Sequence, residues 1–252
     1  MPTISSNTLF HFTKPESLLG ILQYDFYPKF CLERYQIDRR ISPIEIGIPM
    51  VSFCDIPLSL VYNHMANYGN YGIGMSKEWA EKNRLNPVLY LREGSETTKT
   101  LFMALNSIVK YTINISNAGV EIEYPTECID LLRKLFTFTK PFDGPNKDGG
   151  ITKFYDEREW RYVPSPSSYN GSQIVLLKDD LKEPLLSEEN EKLKNAKLHF
   201  QPNDINYIII KEESERLDLI NKIGCIKEKY DDNTRRVLLS KIISAEQISQ
   251  DF

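Results

Sequence analysis

Apolar and polar positions along the chain predict strands and helices that follow one another in no regular order. Apolar runs bounded by polar or turn residues predict strands at 8–12, 50–53, 87–91, 172–177 and 205–210. Apolar positions at helical spacing predict helices at 14–22, from about 57 to 69, 76–84, 97–112, 126–136, 212–223 and 233–243. Because the βαβ alternation is not regular, the pattern predicts an α+β fold rather than a doubly wound sheet.

Local signals mark the ends of some of these elements. Thr13 and Glu16 have the spacing of a capping box that opens the first helix. Asp55 is placed to cap the helix that begins near Pro57. Three glycines within residues 69–74 predict a tight turn that leads into a strand.

Three segments are predicted to lie outside regular structure. Residues 33–40, with their charged side chains, predict a loop, and the Gly, Asp and Asn content of 143–150 predicts a mobile loop able to close over a ligand. The segment 182–197 is rich in Glu and Lys and is predicted to be a polar excursion from the core.

The segment 154–163 has the aromatic and β-branched content of a strand, yet it carries three carboxylates and two arginines. Since side chains alternate across a strand, Glu157, Glu159 and Arg161 are expected on one face. Two carboxylates this near to each other repel unless a cation, a hydrogen-bond donor or a substrate lies between them. The pattern therefore favours an active-site strand. An edge strand with surface ion pairs explains the pattern equally well.

Composition places the chain among ordinary globular proteins. Its 252 residues, 41% of them hydrophobic, are enough for a buried core, and we expect a single domain over 1–252. The net charge of -4 excludes a global positive field but not a local basic cleft. No apolar run reaches membrane-spanning length and no signal peptide is evident, which predicts a cytoplasmic protein with no membrane partner. The spacing of the four cysteines and the presence of only three histidines argue against disulfides and metal sites.

Three stretches carry a resemblance to known proteins. They are 9–13 with the helix that follows, 51–57 with His64 and the glycines of 68–74, and 156–162. Together they resemble the AbiGi-type abortive-infection family of bacterial phage-resistance proteins along nearly the whole chain. The His-x-Thr strand, its helix and the late glutamate strand are also remotely similar to the ADP-ribosyltransferase fold, including DarT-like enzymes that modify nucleic acid. This resemblance implies an α+β fold with an ADP-ribosyltransferase-like mixed sheet core and surrounding helices.

The transferase resemblance implies NAD as a substrate and assigns three catalytic positions. Cleavage of the bond to nicotinamide passes through an oxocarbenium-like transition state, which a fixed carboxylate stabilises. By the resemblance this carboxylate is Glu159, with Glu157 as second choice. Arg34 would grip the pyrophosphate or orient the acceptor, although loop arginines are usually solvated.

The same resemblance assigns five positions that bind NAD. His11 would hydrogen-bond the ribose, Phe12 lies beside it, and the Thr13 hydroxyl would assist. Either Tyr68 or Tyr71 would stack on the nicotinamide ring. A histidine in an apolar strand is also commonly a core residue with its hydrogen bonds satisfied. A purely structural role for His11 is therefore the alternative.

Two main functions follow and remain open from the sequence. The first is a mono-ADP-ribosyltransferase in phage defence that modifies RNA, DNA or protein, with NAD hydrolysis without an acceptor as a variant. The second is a non-catalytic antitoxin or sensor subunit of a two-gene system, which binds a partner protein encoded by a neighbouring gene.

Overall fold

The computed structural model describes residues 6–117, 125–145, 149–171, 173–226 and 230–251. Its strands are β1 (Thr8–Thr13), β2 (Lys29–Tyr35), β3 (Ile44–Cys54), β4 (Tyr71–Ser76), β5 (Asn86–Pro87), β6 (Leu89–Leu91), β7 (Thr139–Pro141), β8 (Gly144–Pro145), β9 (Ile151–Thr152), β10 (Glu159–Tyr162), β11 (Leu176–Leu177), β12 (Ile205–Ile210) and β13 (Ile242–Ser244). Its helices are α1 (Pro15–Tyr24), α2 (Val61–Tyr68), α3 (Lys77–Lys82), α4 (Glu96–Asn117), α5 (Pro125–Thr137), α6 (Leu185–Leu193), α7 (Arg216–Ile226), α8 (Asp232–Leu239) and α9 (Ala245–Asp251). The predicted α+β class is confirmed.

One mixed sheet organises the chain, with its strands in the order β13-β12-β4-β1-β3-β10-β5. Neighbouring strands are antiparallel except for β12 and β13, which run parallel. β3 lies between β1 and β10. The start of the chain and the acidic segment therefore meet on the sheet although they are far apart in sequence.

Strand β3 has different partners along its length. Its C-terminal part pairs with β1 and with β10, where Glu159 lies opposite Cys54. Its N-terminal part pairs with β2 and with β11. The long strand thus connects the centre of the sheet to a second region built on β2.

Both faces of the central sheet are covered by apolar packing. Leu9 of β1 and Ile208 of β12 are buried on one face in a cluster that also contains side chains of α1, α3 and α7. Phe10 and Ile209, one residue further along the same strands, are buried on the other face with side chains of α2 and α9. This alternation is what a period of two residues dictates. Among the described helices, none combines the length and the apolar character needed to cross a bilayer.

Several predicted elements are confirmed. Strand β12 occupies the predicted range, and β1 ends at Thr13, one residue after its predicted end. Helix α3 starts where the sequence predicted, because the Ser76 side chain accepts a hydrogen bond from the Trp79 amide at 3.2 Å.

The predicted loop at 33–40 is partly wrong, because its first residues belong to β2. This strand pairs with β3 from Lys29 opposite Met50 to Tyr35 opposite Ile44. The charged side chain of Glu33 interrupts the apolar pattern that the prediction relied on. The Glu33 carboxylate binds the buried guanidinium of Arg161, so the strand accommodates a charged residue at this position.

The predicted capping box of the first helix is wrong. Helix α1 has Lys14 as its N-cap residue, and no side chain caps it. Thr13 instead remains in β1, where it pairs with Tyr71 of β4. The strand pairing therefore outcompetes the local cap.

The predicted role of Asp55 as a helix cap is also wrong. Its carboxylate accepts a hydrogen bond from the Ser6 amide at 3.1 Å and binds the Lys77 ammonium at 2.8 Å. A 3-10 turn at Leu58–Leu60 leads into α2 instead.

The acidic segment is not the continuous strand that its composition suggested. Phe154–Glu157 form a 3-10 turn, and Arg158 adopts a left-handed conformation with φ of 48°. Strand β10 begins only at Glu159. The argument from alternation therefore fails for Glu157, although both glutamates contact the same lysine.

Other predicted boundaries differ from the structure. The strand predicted at 87–91 is divided between β5, which pairs with β10, and β6, which pairs with β7. The strand predicted at 172–177 is reduced to β11, and residue 172 lies outside the described residues. The helix predicted at 233–243 ends at Leu239, and β13 and α9 follow it.

Two segments predicted to be irregular contain regular structure. Residues 182–197 include α6, and Leu193 of this helix is fully buried against the region around β2 and β11. In the predicted loop 143–150, residues 144 and 145 form β8 and pair with β9, whereas 146–148 lie outside the described residues.

Gly69 ends α2 in a conformation that other residues rarely adopt, with φ of 125°. A Cβ at this position would overlap with the Thr13 carbonyl oxygen. We expect Gly69→Ala to lower the free energy of unfolding in urea by about 1–3 kcal/mol from backbone strain, with the steric clash in addition.

Gly20→Ala is the matched control for this substitution. Gly20 lies inside α1, and the space that an alanine methyl group would occupy is open, so alanine there should raise stability by about 0.5–1 kcal/mol. Equal effects of the two substitutions would contradict the strained turn after α2.

Candidate functional site

A small cavity opens where β1, β3 and β10 meet α2 and β7. Its volume is about 80 Å³. It is lined by Phe10, His11, Phe12, Ser52, Phe53, Cys54, His64, Tyr68, Lys140, Glu157 and Glu159. The sheet order explains this convergence, because β3 holds β1 and β10 on its two sides.

Lys140 occupies the position between the two glutamates. Its ammonium donates a hydrogen bond to the Glu157 carboxylate at 2.7 Å and another to Oε2 of Glu159. The lysine side chain is only 11% exposed. The chain therefore supplies its own cation at the point where two carboxylates would otherwise repel each other.

Arg161 binds the other side of Glu159. Its guanidinium is completely buried and donates to Oε1 of Glu159 and to the Glu33 carboxylate. It also donates to the carbonyl oxygens of Thr137 at 3.0 Å and Thr139 at 2.9 Å. The planar fork of an arginine suits several acceptors arranged around it.

These five residues, Glu33, Lys140, Glu157, Glu159 and Arg161, are called the ion cluster below. Burial alone would raise the pKa of Glu159, but the charges of Arg161 and Lys140 outweigh it and hold that pKa below its usual value. Burial disfavours the charged forms of Lys140 and Arg161 as well. The negative charge of Glu159 beside them outweighs burial and raises both pKa values. For Glu33 burial prevails over the nearby Arg161, and its pKa is raised.

Aromatic side chains from α2 and β1 form one wall of the cavity. The Tyr68 hydroxyl donates a hydrogen bond to Glu157, and its ring stacks on His64 with centroids 4.6 Å apart. The His64 ring in turn contacts Phe12 at 5.3 Å. Tyr68 is therefore already engaged at both its ring and its hydroxyl.

His11 contributes to the cavity lining, and its neutral imidazole packs with Phe26 and Phe53 of the apolar cluster on the Leu9 face of the sheet. Burial lowers its pKa, and its Nδ1 lies 2.8 Å from the carbonyl oxygen of Ser52. Because a carbonyl oxygen can only accept, Nδ1 carries the proton and Nε2 is left as an acceptor. Contacts with Phe26 and Phe53 hold the ring in this orientation.

Cys54 lines the same cavity but is poorly suited to act as a nucleophile. Burial raises its pKa well above the usual value, and its Sγ donates to the Phe10 carbonyl oxygen at 3.3 Å. A thiol that stays protonated is a weak nucleophile. Among the described residues, no group of His, Cys, Asp and Glu side chains is arranged to hold a metal ion.

The structure brings five of the eight predicted site residues to this cavity. They are His11, Phe12, Tyr68, Glu157 and Glu159. The other three lie elsewhere. Thr13 ends β1 outside the cavity lining, and the Tyr71 hydroxyl donates to Glu215 at 2.5 Å in a separate cavity beside α1 and α7. Arg34 lines a larger cleft on the far side of β2.

Sequence reasoning missed the lysine that neutralises this site. Lys140 lies between Phe138 and Phe142, where a single cation interrupts a stretch of otherwise uncharged residues. That isolation is the signal that could have indicated a buried, paired charge, because lysine is rarely buried without a partner. Glu33 was missed for a related reason, since it was assigned to a loop.

His64 provides a test of the burial of this cavity. Burial, assisted by the charge of Lys140, lowers the pKa of His64 to about 4. Between about pH 4 and 6.5 the unfolded chain therefore binds a proton that the folded chain does not, and stability should fall as pH decreases through this window. This single group contributes at most about 1.4 kcal/mol per pH unit.

We expect His64→Phe to flatten the pH dependence of the urea unfolding midpoint between about pH 4 and 6.5. His199→Phe, at an exposed imidazole outside the cavity, is the comparison variant. An unchanged slope in His64→Phe would contradict the burial of this imidazole.

Residues 24–211 match the sequence model of a protein family described as "Putative abortive phage resistance protein AbiGi, antitoxin". The chain is also similar to the abortive phage resistance protein AbiGi of Lactococcus lactis subsp. cremoris, with 28% identity over 251 residues. That similarity covers 90% of this chain and 98% of the relative. No solved structure matches the chain.

Proposed function

Because the chain belongs to the AbiGi family of abortive phage resistance proteins, we propose that it is the antitoxin half of a two-gene phage-defence system. In this role it binds a partner protein encoded by a neighbouring gene and performs no catalysis. The description of the family, which includes the word antitoxin, supports this role.

The state of Glu159 is the observation that carries the proposal. A carboxylate that stabilises an oxocarbenium-like transition state must face the substrate with a free oxygen. In this chain Oε1 of Glu159 accepts from Arg161 and Oε2 accepts from Lys140. Its charge is compensated internally, which supports a structural role.

The size of the cavity beside Glu159 supports the same conclusion. Pockets for drug-sized ligands usually have volumes of about 300–1,000 Å³, and NAD is at least as large as such ligands. The cavity of about 80 Å³ accommodates a few water molecules. A dinucleotide could enter only after Lys140 and the wall formed by Tyr68 moved.

Growth and co-purification test the antitoxin proposal. Expression of the chain alone should leave bacterial growth unchanged, and its co-expression with the neighbouring toxin gene should restore growth that the toxin alone suppresses. The two products should co-purify as a complex. Growth arrest by this chain alone, or a toxin effect that the chain does not relieve, would contradict the proposal.

A second candidate function is favoured by a specific observation. His11, Tyr68 and Glu159 all contribute to the lining of one cavity, as a mono-ADP-ribosyltransferase with an ADP-ribosyltransferase-like fold would need, although the His11 ring packs against Phe26 and Phe53. In this alternative NAD is the substrate and RNA, DNA or protein is the acceptor. It requires a conformational change that withdraws Lys140 from Glu159.

Labelled NAD distinguishes the two candidates. The antitoxin proposal expects no label on RNA, DNA or bacterial protein and no release of free ADP-ribose. Transfer by the unaltered chain that is lost in Glu159→Gln, but kept in the exposed control Glu78→Gln, would make transferase activity the function. Release of free ADP-ribose without transfer would indicate NAD hydrolysis.

A further inference from the structure

We propose that the large cleft beside β2 binds a phosphate-bearing ligand of nucleotide size. This basic cleft has five cationic residues in the part of its lining that the structure describes: Arg34, Arg39, Arg40, Arg92 and Lys99. It is separate from the small cavity at Glu159. The inference does not depend on the proposed antitoxin role, because binding is measured on this chain alone.

The shape of the basic cleft suits a small molecule. Its volume is about 810 Å³, within the range of pockets that enclose drug-sized ligands. Its walls come from the end of β2, the turn at 36–40, residues 91–94, the start of α4, and the segments 141–145 and 149–151. Walls on several sides describe a pocket rather than a flat docking surface.

The charge of the basic cleft contrasts with that of the whole chain. Counted over the described residues, its lining has five cationic residues against the three acidic residues Asp38, Glu93 and Asp143, an excess of two positive charges. The chain as a whole has a net charge of -4. A local positive site on an acidic protein attracts an anion without attracting polyanions over the whole surface.

Two of the arginines in the cleft form no close ion pair within the described residues. Arg34 lies 3.8 Å from Glu45, whose carboxylate binds Lys178 more closely, at 2.5 Å. Within the ranges that the structure describes, Arg92 makes no ion pair, and its side chain is exposed. These two guanidinium groups are available for a ligand.

The other arginines have partners that a phosphate can displace. Arg39 binds Glu93 at 3.1 Å and Arg40 binds Asp38 at 2.7 Å, yet their side chains are 91% and 87% exposed. Exposed ion pairs contribute little, because water screens them. A phosphate group with several oxygens offers each guanidinium a bidentate contact.

The remaining lining favours a nucleotide over a strand of nucleic acid. Tyr35 is the aromatic residue of the described lining, and it is buried with its hydroxyl donated to the Thr139 carbonyl oxygen, so it offers no surface for stacking successive bases. Ile151, 82% exposed at the edge of the cleft, and Pro145 provide apolar surface for one base or sugar. Helix α4 begins at this wall, but Glu96 in its first turn offsets the positive end of its dipole, so the field of the cleft comes from the arginine and lysine side chains.

Calorimetric titration of the purified full-length chain tests the proposal. The probes are ATP, GTP, inorganic pyrophosphate, adenosine and a short single-stranded RNA. We expect a nucleoside triphosphate and pyrophosphate to bind, with adenosine weaker by about ten-fold or more, since it lacks the charge-assisted contacts. Binding should weaken as salt is raised.

Paired variants assign the site. Arg34→Ala combined with Arg92→Ala should weaken binding of the triphosphate by about ten-fold or more. Arg133→Ala combined with Arg235→Ala removes the same charge from helices outside the cleft and should leave affinity unchanged. Urea unfolding of both double variants checks that each is folded.

Three results would overturn the proposal. One is the absence of binding by all the phosphate probes, and another is an affinity that the Arg34 and Arg92 changes leave unaltered. The third is RNA binding much more tightly than either triphosphate, which would indicate a nucleic-acid surface instead.

Discussion

We expect Lys140→Met to lower the free energy of unfolding by about 3–5 kcal/mol, the usual cost of removing one partner from a buried ion pair. The substitution preserves the length and apolar stem of the side chain but removes the ammonium that lies between Glu157 and Glu159. Two carboxylates would then face each other in a site with little water. Urea unfolding monitored by circular dichroism measures the loss.

Two comparisons make this prediction specific to charge. Lys99→Met removes a half-buried ammonium that is 3.5 Å from the exposed carboxylate of Glu96, and it should change the unfolding midpoint far less than Lys140→Met does. Lys140→Met combined with Glu157→Gln should recover part of the stability, because one of the two facing charges is removed as well. A Lys140→Met variant as stable as the unaltered chain would contradict the compensated ion cluster.

Arg161→Met should be at least as destabilising, by about 3–5 kcal/mol from the ion pairs alone. Its guanidinium binds Glu33 and Glu159 and also satisfies the carbonyl oxygens of Thr137 and Thr139. Buried carbonyls without a donor add to the loss, at about 1–3 kcal/mol each. Thermal and urea unfolding of the purified variant measure the sum.

Arg161→Lys keeps this prediction testable if the methionine variant does not fold. An ammonium retains the charge but cannot reach all four acceptors at once, so its stability should lie between those of Arg161→Met and the unaltered chain. Arg133→Met, on the exposed face of α5, serves as the control and should unfold like the unaltered chain. Full stability in Arg161→Lys would show that the fork of contacts contributes nothing.

The parts of the fold that could be predicted from the sequence depend on short-range patterns. Strand β12 is an apolar run that only Asn206 interrupts, between polar segments, and its limits follow directly from the sequence. Helix α3 begins at a serine with cap chemistry, and Gly69 ends α2 where the pattern placed the end. In each case the local interaction agrees with the tertiary structure.

The parts that could not be predicted depend on partners distant in sequence. Glu33 and Arg34 interrupt the apolar pattern of β2, and only pairing with β3 makes this segment a strand. Arg158 adopts a left-handed backbone conformation and separates the acidic turn from β10. The composition of the segment does not indicate this break. Thr13 pairs with Tyr71 of β4 and does not cap the first helix.

The candidate site shows the same division. The remote resemblance to transferases singled out His11 and Glu159, whose roles stay a prediction, and both residues contribute to the lining of one cavity because β3 lies between their strands. The sequence offered no equivalent route to Lys140, which is 19 residues away from Glu159 and on another strand. It is this lysine that decides between a carboxylate free to act on a substrate and one that is already neutralised.

A double-mutant cycle between Lys140 and Glu159 tests most directly whether the glutamate is neutralised within the chain. The unfolding free energies of Lys140→Met, Glu159→Gln, the double variant and the unaltered chain give the interaction energy of the pair. We predict a coupling of about 2 kcal/mol or more in favour of the intact pair. Effects that add to within about 0.5 kcal/mol would mean that the two groups do not interact, and the internally compensated site would be refuted.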